Sequence, residues 1–255
     1  MSAKPAIRRR DVITSLGQPK VAVMLLLGFS SGLPFFLSGN TLGYWLRDAG
    51  TTLAAIGFLS WVGLAYSLKF LWAPVIDRVD APVFGRLGRR RGWMILSQIS
   101  VALGLTALAV MGLSAGLVAV GVFALVVAFS SSTQDIVVDA WRIEAASDSD
   151  ELGLLSSAYQ LGYRAAIIVT DALILIAAEH WGWRLSYASM AVLMLVGLSA
   201  SMVAAEPLRA SPARQTGAVS VQRIAMQGTA ELAFREKGIT RRILANNGFD
   251  EGLGA

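Results

Sequence analysis

The stretch Leu117-Val118-Ala119-Val120-Gly121-Val122-Phe123-Ala124-Leu125-Val126-Val127-Ala128-Phe129-Ser130-Ser131-Ser132-Thr133-Gln134 carries no charged side chain, and it closes on Asp135-Ile136-Val137-Val138-Asp139-Ala140-Trp141-Arg142. A helix rising 1.5 Å per residue needs about 20 mainly apolar residues to cross a hydrocarbon layer. Residues 117–138 meet that length. They show neither the alternation of a half-buried strand nor the polar face of a water-exposed helix. Such a block cannot be solvated by water. Lipid is its solvent.

Working outward, five more blocks of this kind appear, at 21–46, 53–76, 93–113, 154–178 and 183–205. The 255-residue chain is 55% hydrophobic and only 15% charged, with mean hydropathy +0.59. A soluble domain carries about a quarter charged residues, so composition and block length agree. The expected fold is an all-α, polytopic bundle of six transmembrane helices. Residues 1–20 form an N-terminal tail, 21–205 the membrane domain and 206–255 a polar tail. A cleaved leader is the alternative for the first block, with its basic start and Ser30, Ser31 and Gly32 beyond the apolar stretch. The closing tail, from Glu206 through Pro207 and Pro212, is too polar to span. It reads as a surface-lying amphipathic helix or as unstructured chain.

The formal charge of +5 invites a nucleic-acid reading, but the basic residues stand at the edges of the apolar blocks. Lys4, Arg8, Arg9, Arg10 and Lys20 precede the first block. Arg78, Arg86, Arg89, Arg90 and Arg91 separate the second from the third, and Arg142 follows the fourth. The alternate loops hold only Arg47 and Arg184. By the positive-inside bias the N-terminus is cytoplasmic. With no cysteine, the chain has no disulfide framework, Cys-based zinc site or thiol nucleophile. It carries no phosphate-binding loop, His-Glu-x-x-His or Gly-x-Ser-x-Gly, and its one histidine, His180, falls in a loop beside Trp181. Neither an enzyme, a metal nor a cofactor is expected.

Polar groups within the blocks carry the functional signal. Gly28 and Gly32, four apart, favour close helix packing, and Pro34 removes a backbone hydrogen bond and favours a kink. Lys69 is an ammonium inside the second block, either lining a polar pathway to contact an anionic solute or snorkelling to the interface. Asp135 and Asp139 share a helical face, where mutual repulsion and desolvation favour proton uptake. Asp139 can equally pair with Arg142 at the interface. In the fifth block Gln160, Tyr163, Arg164 and Asp171 stand out. Arg164 needs an anionic partner, and a pair between Arg164 and Asp135 is the expectation.

In combination these residues resemble a known family. Asp77-Arg78 followed by Gly88-Arg89-Arg90-Arg91 is similar to the loop signature of the major facilitator superfamily. The run from Lys69-Phe70-Leu71-Trp72-Ala73-Pro74 to Gly92-Trp93 resembles the AmpG muropeptide permeases. So do Ser31-Gly32-Leu33-Pro34, Thr133-Gln134-Asp135-Ile136-Val137-Val138-Asp139-Ala140-Trp141 and Leu161-Gly162-Tyr163-Arg164. The resemblance covers about residues 18–207. It implies an importer of GlcNAc–anhydro-MurNAc peptides in the bacterial inner membrane, driven by protons and serving peptidoglycan recycling. Lys69, Gln134, Asp135, Asp139, Tyr163 and Arg164 would then line the solute and proton pathway. Asp77, Arg78, Arg89, Arg90 and Arg91 would form a cytoplasmic gate. Such transporters have two six-helix halves, of which this sequence supplies the N-terminal one. The partners implied are lipid, muropeptide, protons and either a second six-helix half or a second copy. A non-transporting membrane interaction protein, or a half-permease for another amphiphilic solute, is the alternative.

Overall fold

A computed structural model describes residues 18–207; of the expected tails, 1–20 and 206–255, residues 1–17 and 208–255 lie outside the described residues. Six helices long and apolar enough to cross a membrane run Pro19–Asp48, Leu53–Leu71, Arg89–Ala115, Leu117–Ala145, Ser149–Trp181 and Trp183–Val203. They form the expected helical bundle, a multi-pass membrane domain. Short turns join the spans except between the second and third, where residues 72–88 carry two short helices, Ala73–Arg78 and Gly85–Leu87, and the chain runs alternately up and down. One end of the bundle gathers Pro19, Arg78, Arg89, Ala145 and Val203. The other gathers Asp48, Met111 and Trp183.

The boundaries differ from the sequence expectation where polar residues extend a helix beyond its apolar block. Span three begins at Arg89 rather than 93, and span four continues to Ala145 rather than 138. Arg184 and His180, expected in a loop, belong to helices. Arg184 donates from its side chain to the carbonyls of Ala109 and Val110, and His180 Nδ1 lies 2.9 Å from Ile176 O. Span one is broken rather than smoothly kinked. Its first limb, Pro19–Leu37, contains Pro34 and stops at Ser38, and a second limb starts at Asn40. The Ser38 amide and hydroxyl both donate to Pro34 O, so the break keeps its backbone groups paired.

Small residues set the helix contacts. A methyl group on Gly28 would overlap the Tyr159 carbonyl, and one on Gly162 would overlap the Leu25 carbonyl. Spans one and five therefore meet backbone to backbone, in an environment where lipid supplies no hydrophobic drive for association. Gly32 continues this seam against Tyr163 O and the Ala166 methyl, each 2.8 Å from where its own methyl would be. Span six packs on spans one and three, with Gly197 making room for the Ser30 side chain.

Two apolar clusters fill the interior. One, toward Asp48, includes Leu33, Leu42, Trp45, Leu105, Ala124 and Tyr187. The other, toward Pro19, includes Met24, Leu27, Val137, Trp141, Leu155 and Ala200. Between them in spans one and four lie Ser30, Ser31 and the run Ser130–Asp135. The functional candidates sit in that polar layer.

Candidate functional site

Span four presents Ser131, Gln134 and Asp135 on one face, since positions i, i+3 and i+4 are helical neighbours. Gln134 Nε2 donates to Ser30 Oγ at 2.8 Å and to Ser31 Oγ at 3.1 Å. Gln98 of span three reaches Ser30 Oγ at 3.5 Å and accepts from Ser201 of span six at 2.8 Å. One buried polar chain therefore ties spans one, three, four and six. In an apolar medium its members have no solvent alternative, which makes the layer specific about register. Ser131 Oγ, Gln134 Oε1 and Asp135 Oδ1 are nonetheless buried without a hydrogen-bond partner. Unpaired buried polar atoms are costly and call for an explanation.

Lys69 brings the counter-charge. Its Nζ lies 4.0 Å from Asp135 Oδ2, with side-chain exposures of 39% and 14%. This corrects the expected pairing of Asp135 with Arg164, which is exposed on span five and has no ion-pair partner among the described residues. The pair forms across helices, and span two is turned so that Lys69 faces span four. Next to Lys69, Trp72 donates to Thr133 Oγ1 at 3.2 Å and its ring lies 4.7 Å from that of Phe129. Tyr159 and Tyr163 of span five, rings 6.0 Å apart, stand on the same side of the layer. Asp139 pairs with Arg142 at 2.8 Å, and the Arg142 guanidinium lies 5.2 Å above the Tyr159 ring.

A second cluster closes the end of the bundle one turn beyond Asp139. Arg90, 5% exposed, holds Glu144 through two side-chain hydrogen bonds, at 3.1 and 2.5 Å, and Asp77 at 2.7 Å. Arg89 donates to Asp77 O and lies 3.5 Å from Glu144. Spans three and four and the short helix Ala73–Arg78 that follows span two are thereby bound at one point. Of the five residues expected here, Asp77, Arg89 and Arg90 meet. Arg91 turns instead to the carbonyls of Ser201 and Met202, and Arg78 takes no part in the ion pairs.

Glu144 and Glu206 complete this cluster and were not expected. Glu206 accepts from the Arg90 and Arg91 amides at 2.9 and 3.0 Å and so caps the start of span three. A methyl on Gly88 would overlap the Glu206 carboxylate, and Gly88 also has φ +109°. Only glycine meets both demands easily. The sequence signal was present in Glu144, three residues beyond Trp141 and able to face the Arg triplet.

Asp171, singled out in the sequence, lies in a π-helical segment, Ile168–Leu173. That wider turn leaves Thr170 O able to accept from Thr41 Oγ1 at 2.8 Å. Such segments recur at functional positions in helices.

Residues 20–122 match the family model described as Acetyl-coenzyme A transporter 1. The chain is 39% identical over 200 residues to the anhydromuropeptide permease of Escherichia coli K12, covering 78% of this chain and 40% of that protein. It is 34% identical over 185 residues to a Rickettsia prowazekii protein that carries the AmpG 3 name, covering 72% and 44%. A Rickettsia conorii protein carrying the AmpG 4 name is 33% identical over 175 residues, covering 68% and 42%. The chain thus spans about two fifths of the length of the curated relatives it matches.

Proposed function

As this chain is a homologue of the AmpG-type muropeptide permeases, we propose that its six spans form one half of a proton-coupled importer of anhydromuropeptides in the bacterial inner membrane. One observation carries the proposal: the Lys69–Asp135 pair, set among buried acceptors without partners, lies within spans that hydropathy puts in lipid. Asp135 stands near the middle of span four, where a charge costs about 2.5–3.5 kcal/mol and is retained where it handles a solute or a proton.

Lys69 and Arg164 are the cationic contacts for peptide carboxylates. Asp135 takes up the proton, and Asp139, held by Arg142, passes it on toward the cytoplasm. Gln134 and Tyr163 orient the solute by hydrogen bonding. When a solute carboxylate draws Lys69 away, Asp135 loses its counter-charge, which couples the two loads. The cluster of Asp77, Arg89, Arg90 and Glu144 is the cytoplasmic gate, consistent with the basic residues on that side. Opening it requires the Arg90 contacts to break together. The remainder of the path comes from a second six-helix half.

The test is uptake of labelled anhydromuropeptide by cells lacking their own permease, expressing this chain alone or with a second six-span frame. Uptake with the pair, abolished by Asp135→Asn at unchanged membrane level, is expected. Equal uptake by wild type and Asp135→Asn would discard the proton role. No uptake in any combination, alongside uptake of a labelled acyl-CoA, would replace the solute, since the match over residues 20–122 bears that other transporter's name.

A further inference from the structure

The chain between spans two and three has a side that the ion-pair cluster does not use. Its inner side is packed against the start of span three. Ala81 is buried, and a methyl on Gly92 would lie 2.7 Å from the Phe84 carbonyl oxygen and 3.0 Å from the Ala81 methyl. The Trp93 indole donates to Val79 O at 2.8 Å. Three apolar side chains of the same segment are nevertheless left uncovered: Val79 is 50% exposed, Val83 88% and Leu87 45%. One exposed valine would need no explanation. Three within nine residues do.

Val83 is held outward at a cost. The Phe84 amide donates to Pro82 O at 2.8 Å, closing a three-residue turn around Val83, whose φ is +69°. That is the strained hand of such a turn, and a β-branched residue suits it poorly. Strain of this kind persists where the surrounding structure fixes it, and it marks sites with a task. Here Ala81 and Phe84, seated against Gly92, fix the flanks. The outcome is a bare isopropyl group at the end of the bundle.

The charge beside it is mainly of one sign. Residues 78–91 hold Arg78, Arg86, Arg89, Arg90 and Arg91 against Asp80. Arg89 and Arg90 are engaged by Asp77 and Glu144, whereas Arg78 and Arg86 are exposed and make no ion pair among the described residues. Arginine stems lie along apolar surface while their heads reach polar groups. An apolar tip flanked by guanidinium groups, where spans two and three leave the hydrocarbon, complements a bilayer surface with anionic headgroups.

We infer that residues 78–87 form a membrane-surface contact. Val83 and Leu87 dip into the boundary between headgroups and acyl chains, and Arg78 and Arg86 bind the phosphates of anionic lipids. The partner is a lipid surface and not a soluble anion, because a soluble anion gives the apolar tip nothing to enter. That the natural leaflet is the cytoplasmic one rests on the orientation proposed above. The contact itself does not, since a nanodisc offers the same lipids to both ends of the bundle.

The cysteine-free sequence allows single reporters. Val83→Cys, Leu87→Cys and, in the polar turn between spans four and five, Ser149→Cys are made singly in the full chain. Each is labelled with the fluorophore NBD and placed in nanodiscs of phosphatidylcholine mixed with phosphatidylglycerol. A nitroxide quencher is carried on an acyl chain of one lipid or the other, at equal mole fraction. Quenching at positions 83 and 87 is expected to exceed that at 149 several-fold. It should be stronger when phosphatidylglycerol carries the nitroxide. Arg78→Gln with Arg86→Gln should bring the two lipids level, as should high salt.

Leu87→Cys leaves Val83 in place, so the contact is read even where substitution in the strained turn disturbs the loop. Quenching at 87 no greater than at 149 overturns the inference. So does equal quenching by the two lipids, or a preference for phosphatidylglycerol that survives the double glutamine substitution. None of these readouts involves transport, so the importer reading stands or falls separately.

Discussion

Spans one and two are neighbours in sequence and differ in how they are held. In span one 67% of the most apolar window is buried inside the bundle; in span two 6% is. Span one is anchored by backbone contact with span five through Gly28, Gly32 and Gly162. Span two leans chiefly on span four and changes its winding along the way. Its α-helical turns at Leu53–Leu59 and Leu64–Ser67 alternate with tighter turns at Ser60–Gly63 and Lys69–Leu71. The loosely held span carries the membrane-embedded lysine, and the tightly held ones carry its carboxylate environment. On the proposed transport role, a firmly packed floor and a sparsely packed wall suit a pair that parts and re-forms.

The contrast can be broken or sharpened by substitution. The largest effect is expected from Gly162→Leu, which drives a side chain into the Leu25 carbonyl. It should cost about 3 kcal/mol or more and abolish the monodisperse peak of the purified protein in detergent. Arg90→Ala comes next. It leaves Glu144 and Asp77 without their shared cation, and about 3 kcal/mol of stability should be lost, read as a lower thermal midpoint in detergent. Lys69→Gln removes a lipid-embedded ammonium, whose cost offsets the lost contact with Asp135, so the thermal midpoint in detergent should move little. Its uptake should nevertheless fall steeply, and normal uptake would return Lys69 to a snorkelling role. Trp72→Phe removes one hydrogen bond to Thr133 and should cost about 1 kcal/mol. At the small end, a methyl at Gly57 on span two meets no atom within 4 Å, so Gly57→Ala should not lower stability. A large loss at Gly57 would mean that span two is packed as firmly as span one.

The six crossings were legible because residue blocks of hydrocarbon length admit no other solvent. The Gly28 and Gly32 contacts were legible in kind, although that span five receives them is a matter of helix arrangement. Span two's alternating winding was not legible, since residues 53–73 contain no proline to announce a break. Asp135 stood out as a carboxylate in an apolar block, yet its partner depends on how two helices are rotated, and spacing along the chain says nothing about that. Gln98, Ser30 and Ser201 were passed over because uncharged polar residues hardly lower hydropathy. Glu144 and Glu206 were passed over because a charge beside a span reads as an ordinary interfacial residue until its partner is seen. The placement of Asp77, Arg89 and Arg90 together was anticipated by the resemblance of their loop, while Arg78 and Arg91 face elsewhere.

The Glu206 cap also bears on the order in which the molecule is made. The amides at Arg90 and Arg91 acquire their acceptor from a residue translated more than a hundred positions later. Until the sixth helix has left the ribosome and entered the bilayer, the third begins with bare donors at the membrane surface, and Gly88 has nothing to accommodate. Completion of the last crossing is therefore the event that closes an early one, so a nascent chain halted after Val203 would be left unlatched at its middle rather than merely short at its end.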